Sequence, residues 1–140
     1  MHRYGRDALF ISLLAFALGL AGVAWAHLSE QLGTSDAIDA ARKLFSVYLV
    51  HIGMFAGVYF GSSKADVRAD ATGHRAGALA LLLLWNAIAL YGVAAYLVLP
   101  ASDHSFTDLL TFLDTIPRET APLVGGVSAF MTAKGLPKAG

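Results

Sequence analysis

Three stretches of the chain, residues 8–28, 44–62 and 76–99, carry no formal charge. This constrains the fold more than any other feature. A helix rises 1.5 Å per residue, so about 20 apolar residues cross the ~30 Å hydrocarbon layer of a bilayer. The first run has 21 residues and the third 24, so both are long enough. The rest of the composition agrees. Of 140 residues, 56% are apolar and 14% charged, with a mean hydropathy of +0.60, whereas an ordinary soluble domain carries roughly 25% charged residues. A single domain of this length cannot bury that apolar surplus in its own core. The expected class is an all-α, polytopic membrane protein, with the lipid bilayer as its first partner.

The first run comes after a basic start containing Arg3 and Arg6, and it holds Ala24-Trp25-Ala26. That pattern also fits a cleaved signal sequence, although the apolar part is long for one. After it, Ser35 is a candidate cap for a helix with Asp36 and Asp39 in its first turn, which runs on into the second span. Residues 62–75 form a polar connection, and Pro100 closes the third span.

The last segment is less regular. Ser105-x-x-Asp108 resembles a capping box, and Phe106, Leu109, Leu110, Leu113 and Ile116 recur at helical spacing. Pro117 and Pro122 interrupt the pattern beyond Ile116, and residues 120–133 give only 14 positions without charge. Two readings remain: a re-entrant or interfacial helix, or a fourth span over 114–133 that carries Arg118 and Glu119 into the membrane.

The basic residues favour the span. Four crossings put Arg3, Arg6, Lys64, Arg68, Arg75, Lys134 and Lys138 on one side, and only Arg42, Lys43 and Arg118 on the other. Cytoplasmic loops hold the excess of Lys and Arg. The expectation is therefore one domain over residues 1–140 with four transmembrane helices (8–28, 44–62, 76–99 and 114–133) and a short amphipathic outer helix before the fourth. It is multi-pass, both termini are cytoplasmic, and a bacterial inner membrane is the favoured setting. A shift of 69 residues lays the first helix pair on the second, bringing Arg6 onto Arg75 and Asp39 onto Asp108, so a two-plus-two duplication is one further reading.

Polar residues inside apolar runs are the candidate site. On this topology His51, Asn86, Arg118, Glu119 and Thr120 all fall in the outer half of the membrane. Such residues are costly in lipid and normally face one another or water. They are expected to line an outward-facing polar cavity. The plainer alternatives are a histidine and an asparagine that bond neighbouring helices, and an Arg118 and Glu119 that pair or snorkel to headgroups. Trp25 and Tyr96 read as interface anchors.

Gly53, Gly57 and Gly61 stand four residues apart in the second span, and Ala121, Gly125 and Ala129 repeat the spacing in the last. Small residues let membrane helices approach closely. Gly53, Gly57, Gly61 and Gly125 are thus expected at a helix contact, either between the second and fourth helices of one chain or between two chains.

Other chemistry is thin. With no cysteine there is neither disulfide nor thiolate chemistry. No metal-binding, hydrolase or phosphate-binding motif is present, and a haem held by His27 and His51 is a weak reading. No enzyme activity, metal or cofactor is expected, and net charge of zero gives no case for nucleic acid. Four function classes remain: a homo-oligomeric channel or pore-like bundle with an outer polar vestibule, an accessory or assembly subunit of a larger membrane complex, an enzyme or a haem or redox subunit using His51 and Glu119, and a small transporter.

Overall fold

The computed structural model describes residues 3–61, 72–99 and 105–133. They form four α-helices: α1 over Arg3–Leu28, α2 over Thr34–Gly61, α3 over Thr72–Val98 and α4 over Phe106–Ala133. There is no strand among the described residues. Two of the four helices are long and apolar enough to cross a membrane, α1 over Tyr4–Leu28 and α3 over Ala76–Val98. The termini and the loop residues Lys64, Arg68, Lys134 and Lys138, on which the expected orientation rests, lie outside the described residues.

The helices pack as two antiparallel hairpins set side by side. α1 lies against α2 and α3, and α4 against α2 and α3; α1 and α4 are diagonal, as are α2 and α3. Neighbours from different hairpins run parallel, because Gly19 and Gly22 of α1 face Leu90 and Val93 of α3, and Lys43 of α2 reaches Asp114 of α4. Each of these pairs is offset by 71 positions, close to the 69 of the sequence match. A two-fold axis through the bundle would place α1 and α3 on a diagonal. They are neighbours instead, so one hairpin is displaced sideways from the other.

Side-chain size sorts the faces. α1 turns Ala8, Ser12, Ala15, Gly19 and Ala26 inward and Phe10, Leu13, Leu14, Leu18 and Trp25 outward. The small inward face accepts large groups from α2: Leu44, Tyr48 and Phe55 are fully buried. Phe16 packs against Phe45 and Tyr48, with centroids 5.8 and 5.6 Å away, and Tyr4 meets Phe55 edge-on at 6.3 Å. Such pairs add to the energy of burial itself.

The ends of the helices are set by backbone hydrogen bonds. Gln31 N–H donates to the Ala26 carbonyl at 2.9 Å and Glu30 N–H to that of His27 at 3.1 Å, the two bonds of a Schellman cap. The left-handed residue this cap needs is Glu30, at φ 62°, where glycine is usual. His27 Nδ1 donates to the Leu32 carbonyl at 3.0 Å, and the Tyr96 hydroxyl donates to that of Gln31 at 3.2 Å, so both residues tie down this loop. α2 begins at Thr34, so Ser35 lies within its first turn and is not the cap. The capping box at α4 does form: Asp108 N–H donates to Ser105 Oγ at 3.2 Å, and Ser105 N–H to Asp108 Oδ2 at 2.8 Å.

The short amphipathic helix expected before the fourth span is not a separate element. α4 runs unbroken through Pro117 and Pro122. Each proline takes one N–H out of the helical ladder. Packing outweighs that loss here. Pro117 is fully buried, its carbonyl accepts the Trp85 indole N–H at 3.1 Å, and Thr120 Oγ1 donates back to the Ile116 carbonyl at 2.8 Å.

Candidate functional site

The bundle divides the expected polar cavity into an inside and an outside. α2 turns Leu44, Tyr48, His51 and Phe55 to the interior, at spacings of four and three that keep one face. His51 is therefore buried, at 4% exposure. Its Nδ1 donates to the Val47 carbonyl one turn back at 3.1 Å, and its ring lies over Trp85 with centroids 4.2 Å apart. The ring also meets the backbone of Ala121 on α4. Asn86, next to Trp85 on α3, is buried too, and its Nδ2 donates to the Leu82 carbonyl of the same helix at 2.8 Å.

Arg118 and Glu119 do not join them. α4 buries Leu109, Leu113, Pro117 and Val124. At ~100° per residue, positions 118 and 119 fall well away from that line. Both side chains are exposed on the outer side of α4. Thr120 is half-buried, with its hydroxyl returned to its own helix. The interior thus holds His51 and Asn86, and the outer surface of α4 holds the ion-forming residues.

Three further residues, none of them in the expected cavity lining, complete the interior. Ser12 of α1 is fully buried, Tyr48 stands at 5.4 Å from Trp85, and Trp85 itself bridges to Pro117 on α4. Ser12 Oγ, the Tyr48 hydroxyl and Asn86 Oδ1 have no hydrogen-bond partner among the described residues. An unsatisfied buried polar atom costs free energy, so this layer is polar beyond what packing requires. The signal for Ser12 was available: it continues the spacing of Ala8, Ala15 and Gly19. No group of three or more His, Asp or Glu among the described residues is placed to hold a metal ion.

The glycines also divide. Gly53 and Gly57 are exposed, and an added Cβ at either would meet nothing within 4 Å. They lie about half a turn from Tyr48, His51 and Phe55, so they do not form the contact between the second and fourth helices. Gly125 has equally open space, and Gly61 closes α2 with its surroundings outside the described residues. The tight contacts are elsewhere. A Cβ on Gly22 would stand 2.7 Å from Val93 Cγ1, one on Gly92 would overlap the Phe112 ring, and one on Gly19 would press on Leu44 at 3.3 Å. These three let α1 approach α2 and α3, and α3 approach α4.

The remaining exposed surface has two characters. On the α1/α3 side it is large and apolar: Phe10, Leu14, Leu18, Leu83 and Leu84 point outward. α2 exposes Ile38, Phe45, Leu49 and Val50 together with Ser46, Gly53 and Gly57, and α4 presents Ile116 beside Thr107, Thr111, Thr115, Arg118 and Glu119. The two helices are joined at one end by Lys43 Nζ and Asp114 Oδ1, 2.9 Å apart. No family model, curated protein or solved structure matches the chain.

Proposed function

We propose that the protein is a four-span integral membrane protein that acts as an assembly unit, with its α1/α3 side in lipid and its α2/α4 side against protein. One observation carries the reading: the surface is sorted by side. A soluble bundle buries its most apolar helices. Here the two most apolar stretches are only 28% and 39% buried within the chain, while serine, histidine and asparagine occupy the interior. That is the polarity expected of a bundle whose solvent is lipid.

The α2/α4 side does not suit lipid. Glycine offers little apolar surface, and an ionised Glu119, about 7.5 Å further along α4 than Asp114, is expensive in hydrocarbon. Small residues and polar groups are what membrane helices use against one another. The reading includes α2 and α4 as spans because α2 continues without charge from Leu44 to Gly61, and α4 meets it in parallel at Lys43–Asp114 and His51–Ala121.

A second reading, a pore-like homo-oligomer, is favoured by the threonine ladder at 107, 111 and 115. Tyr48, Phe55, Leu82, Trp85 and Leu113 fill the bundle axis, so conduction would run between chains, with α4 lining the vestibule. The test is the mass of the protein in lipid nanodiscs, together with ion flux in liposomes. A defined assembly without flux supports the first reading, and flux that Glu119→Gln alters supports the second. A lone monomer that gives no flux removes both.

A further inference from the structure

The partner on the α2/α4 side can be narrowed further, granting the assembly reading above. Glu119 is exposed and has no ion pair or hydrogen bond among the described residues. Arg118 is exposed beside it and lies near Asp114, whose carboxylate already contacts Lys43 at 2.9 Å. The two form no ion pair or hydrogen bond with each other among the described residues, unlike the adjacent Arg6 and Asp7 of α1, which pair at 3.1 Å. On the four-span reading they lie about 6–8 Å below the end marked by Asp114. A carboxylate at that depth is costly unless it meets a cation or water.

We propose that the outer side of α4, together with the glycines of α2 beside it, binds a second copy of this chain about a two-fold axis parallel to the bundle, with Arg118 of each copy facing the partner's Glu119. Rotation about that axis preserves depth. Arg118 and Glu119 differ in depth by only about 1.5 Å, so the rotation brings opposite charges level, twice. A two-fold interface is self-complementary, and a patch holding one positive and one negative group at a single level meets that condition.

The rest of the side fits the same partner. Thr111 and Thr115 continue the patch towards the outer end, and their hydroxyls can bond across helices. Deeper in, Gly53, Gly57 and Gly125 leave room for backbones to approach, with nothing within 4 Å of an added Cβ. The α1/α3 side offers no such pairing. Its outward residues are Phe10, Leu14, Leu18, Leu83 and Leu84, which lipid serves as well as protein.

The test uses the full chain in bilayers, with dimerisation read from subunit-exchange fluorescence. R118E and E119R should each weaken the dimer by about tenfold or more, since each sets like charges together twice. The double variant R118E/E119R restores both pairs and should return to within about threefold of wild type. Because the chain has no cysteine, Thr115→Cys should form a disulfide-linked dimer on oxidation, and Leu18→Cys should not. A double variant as weak as the single ones, or cross-linking at Leu18→Cys and not at Thr115→Cys, would overturn the two-fold arrangement. If wild type still assembles in that case, the broader assembly reading stands. If wild type is monomeric, both readings fail together.

Discussion

The α1/α3 side and the α2/α4 side of the bundle use glycine in opposite ways. On α1 and α3, Gly19, Gly22 and Gly92 face inward and are filled: Leu44, Val93 and Phe112 occupy the space a side chain would take. On α2 and α4, Gly53, Gly57 and Gly125 face an opening. The outward surface is inverted to match, with Phe10, Leu14 and Leu83 on one side and Gly57, Thr115, Arg118 and Glu119 on the other. A glycine at helical spacing therefore marks a place where something can come close. Only the position of neighbouring helices says whether that place is already taken.

The largest effect is expected where the space is taken. Gly92→Leu forces the Phe112 ring out of its site, and Gly22→Leu does the same to Val93. Overpacking of this kind costs about 1–3 kcal/mol. Chemical unfolding in detergent micelles should show the loss in both variants. Wild-type stability in either would mean that α3 does not sit this close to its neighbours.

Trp85→Phe comes next. It keeps most of the ring contact with His51 and Tyr48 but removes the N–H that bonds the Pro117 carbonyl. A net hydrogen bond is worth about 0.5–1.5 kcal/mol, and the same unfolding measurement should report a loss in that range. Gly57→Leu sharpens the comparison from the other side. It should leave monomer stability within about 0.5 kcal/mol of wild type while weakening assembly in nanodiscs. Equal damage to the fold from Gly57→Leu and Gly92→Leu would erase the distinction between the two sides.

A small effect of opposite sign lies at the α1–α2 loop, away from both faces. Glu30→Gly relieves a left-handed conformation that glycine adopts freely, and should stabilise the bundle by about 0.5–1 kcal/mol. A thermal shift in the destabilising direction would point instead to an interaction of the Glu30 side chain.

Much of the fold was legible in the sequence because charge-free length and helical period are local properties. The runs at 8–28 and 76–99 coincide with α1 and α3 to within a residue or two at their C-terminal ends, and Ser105 caps α4 through the box with Asp108. The rest depends on tertiary placement. Pro117 and Pro122 read as interruptions because propensity counts the missing N–H groups, but burial of Pro117 against Trp85 holds the helix together. On the expected four-span topology, depth alone groups His51, Asn86, Arg118 and Glu119 in the same half. It carries no information on direction around each helix, and direction separates the first two from the last two. The same limit hid Gly22 and Gly92, which lack the four-residue spacing of Gly53 and Gly57 yet make the tighter contacts.

The central claim is that lipid meets one side of the bundle and protein the other. Spin labels on single cysteines at Leu14, Leu83, Gly57 and Thr115, in an otherwise cysteine-free chain, would read it directly through collision with oxygen dissolved in the bilayer. Strong collision at Leu14 and Leu83 with marked protection at Gly57 and Thr115 is the predicted result. Equal lipid exposure at all four positions would contradict it.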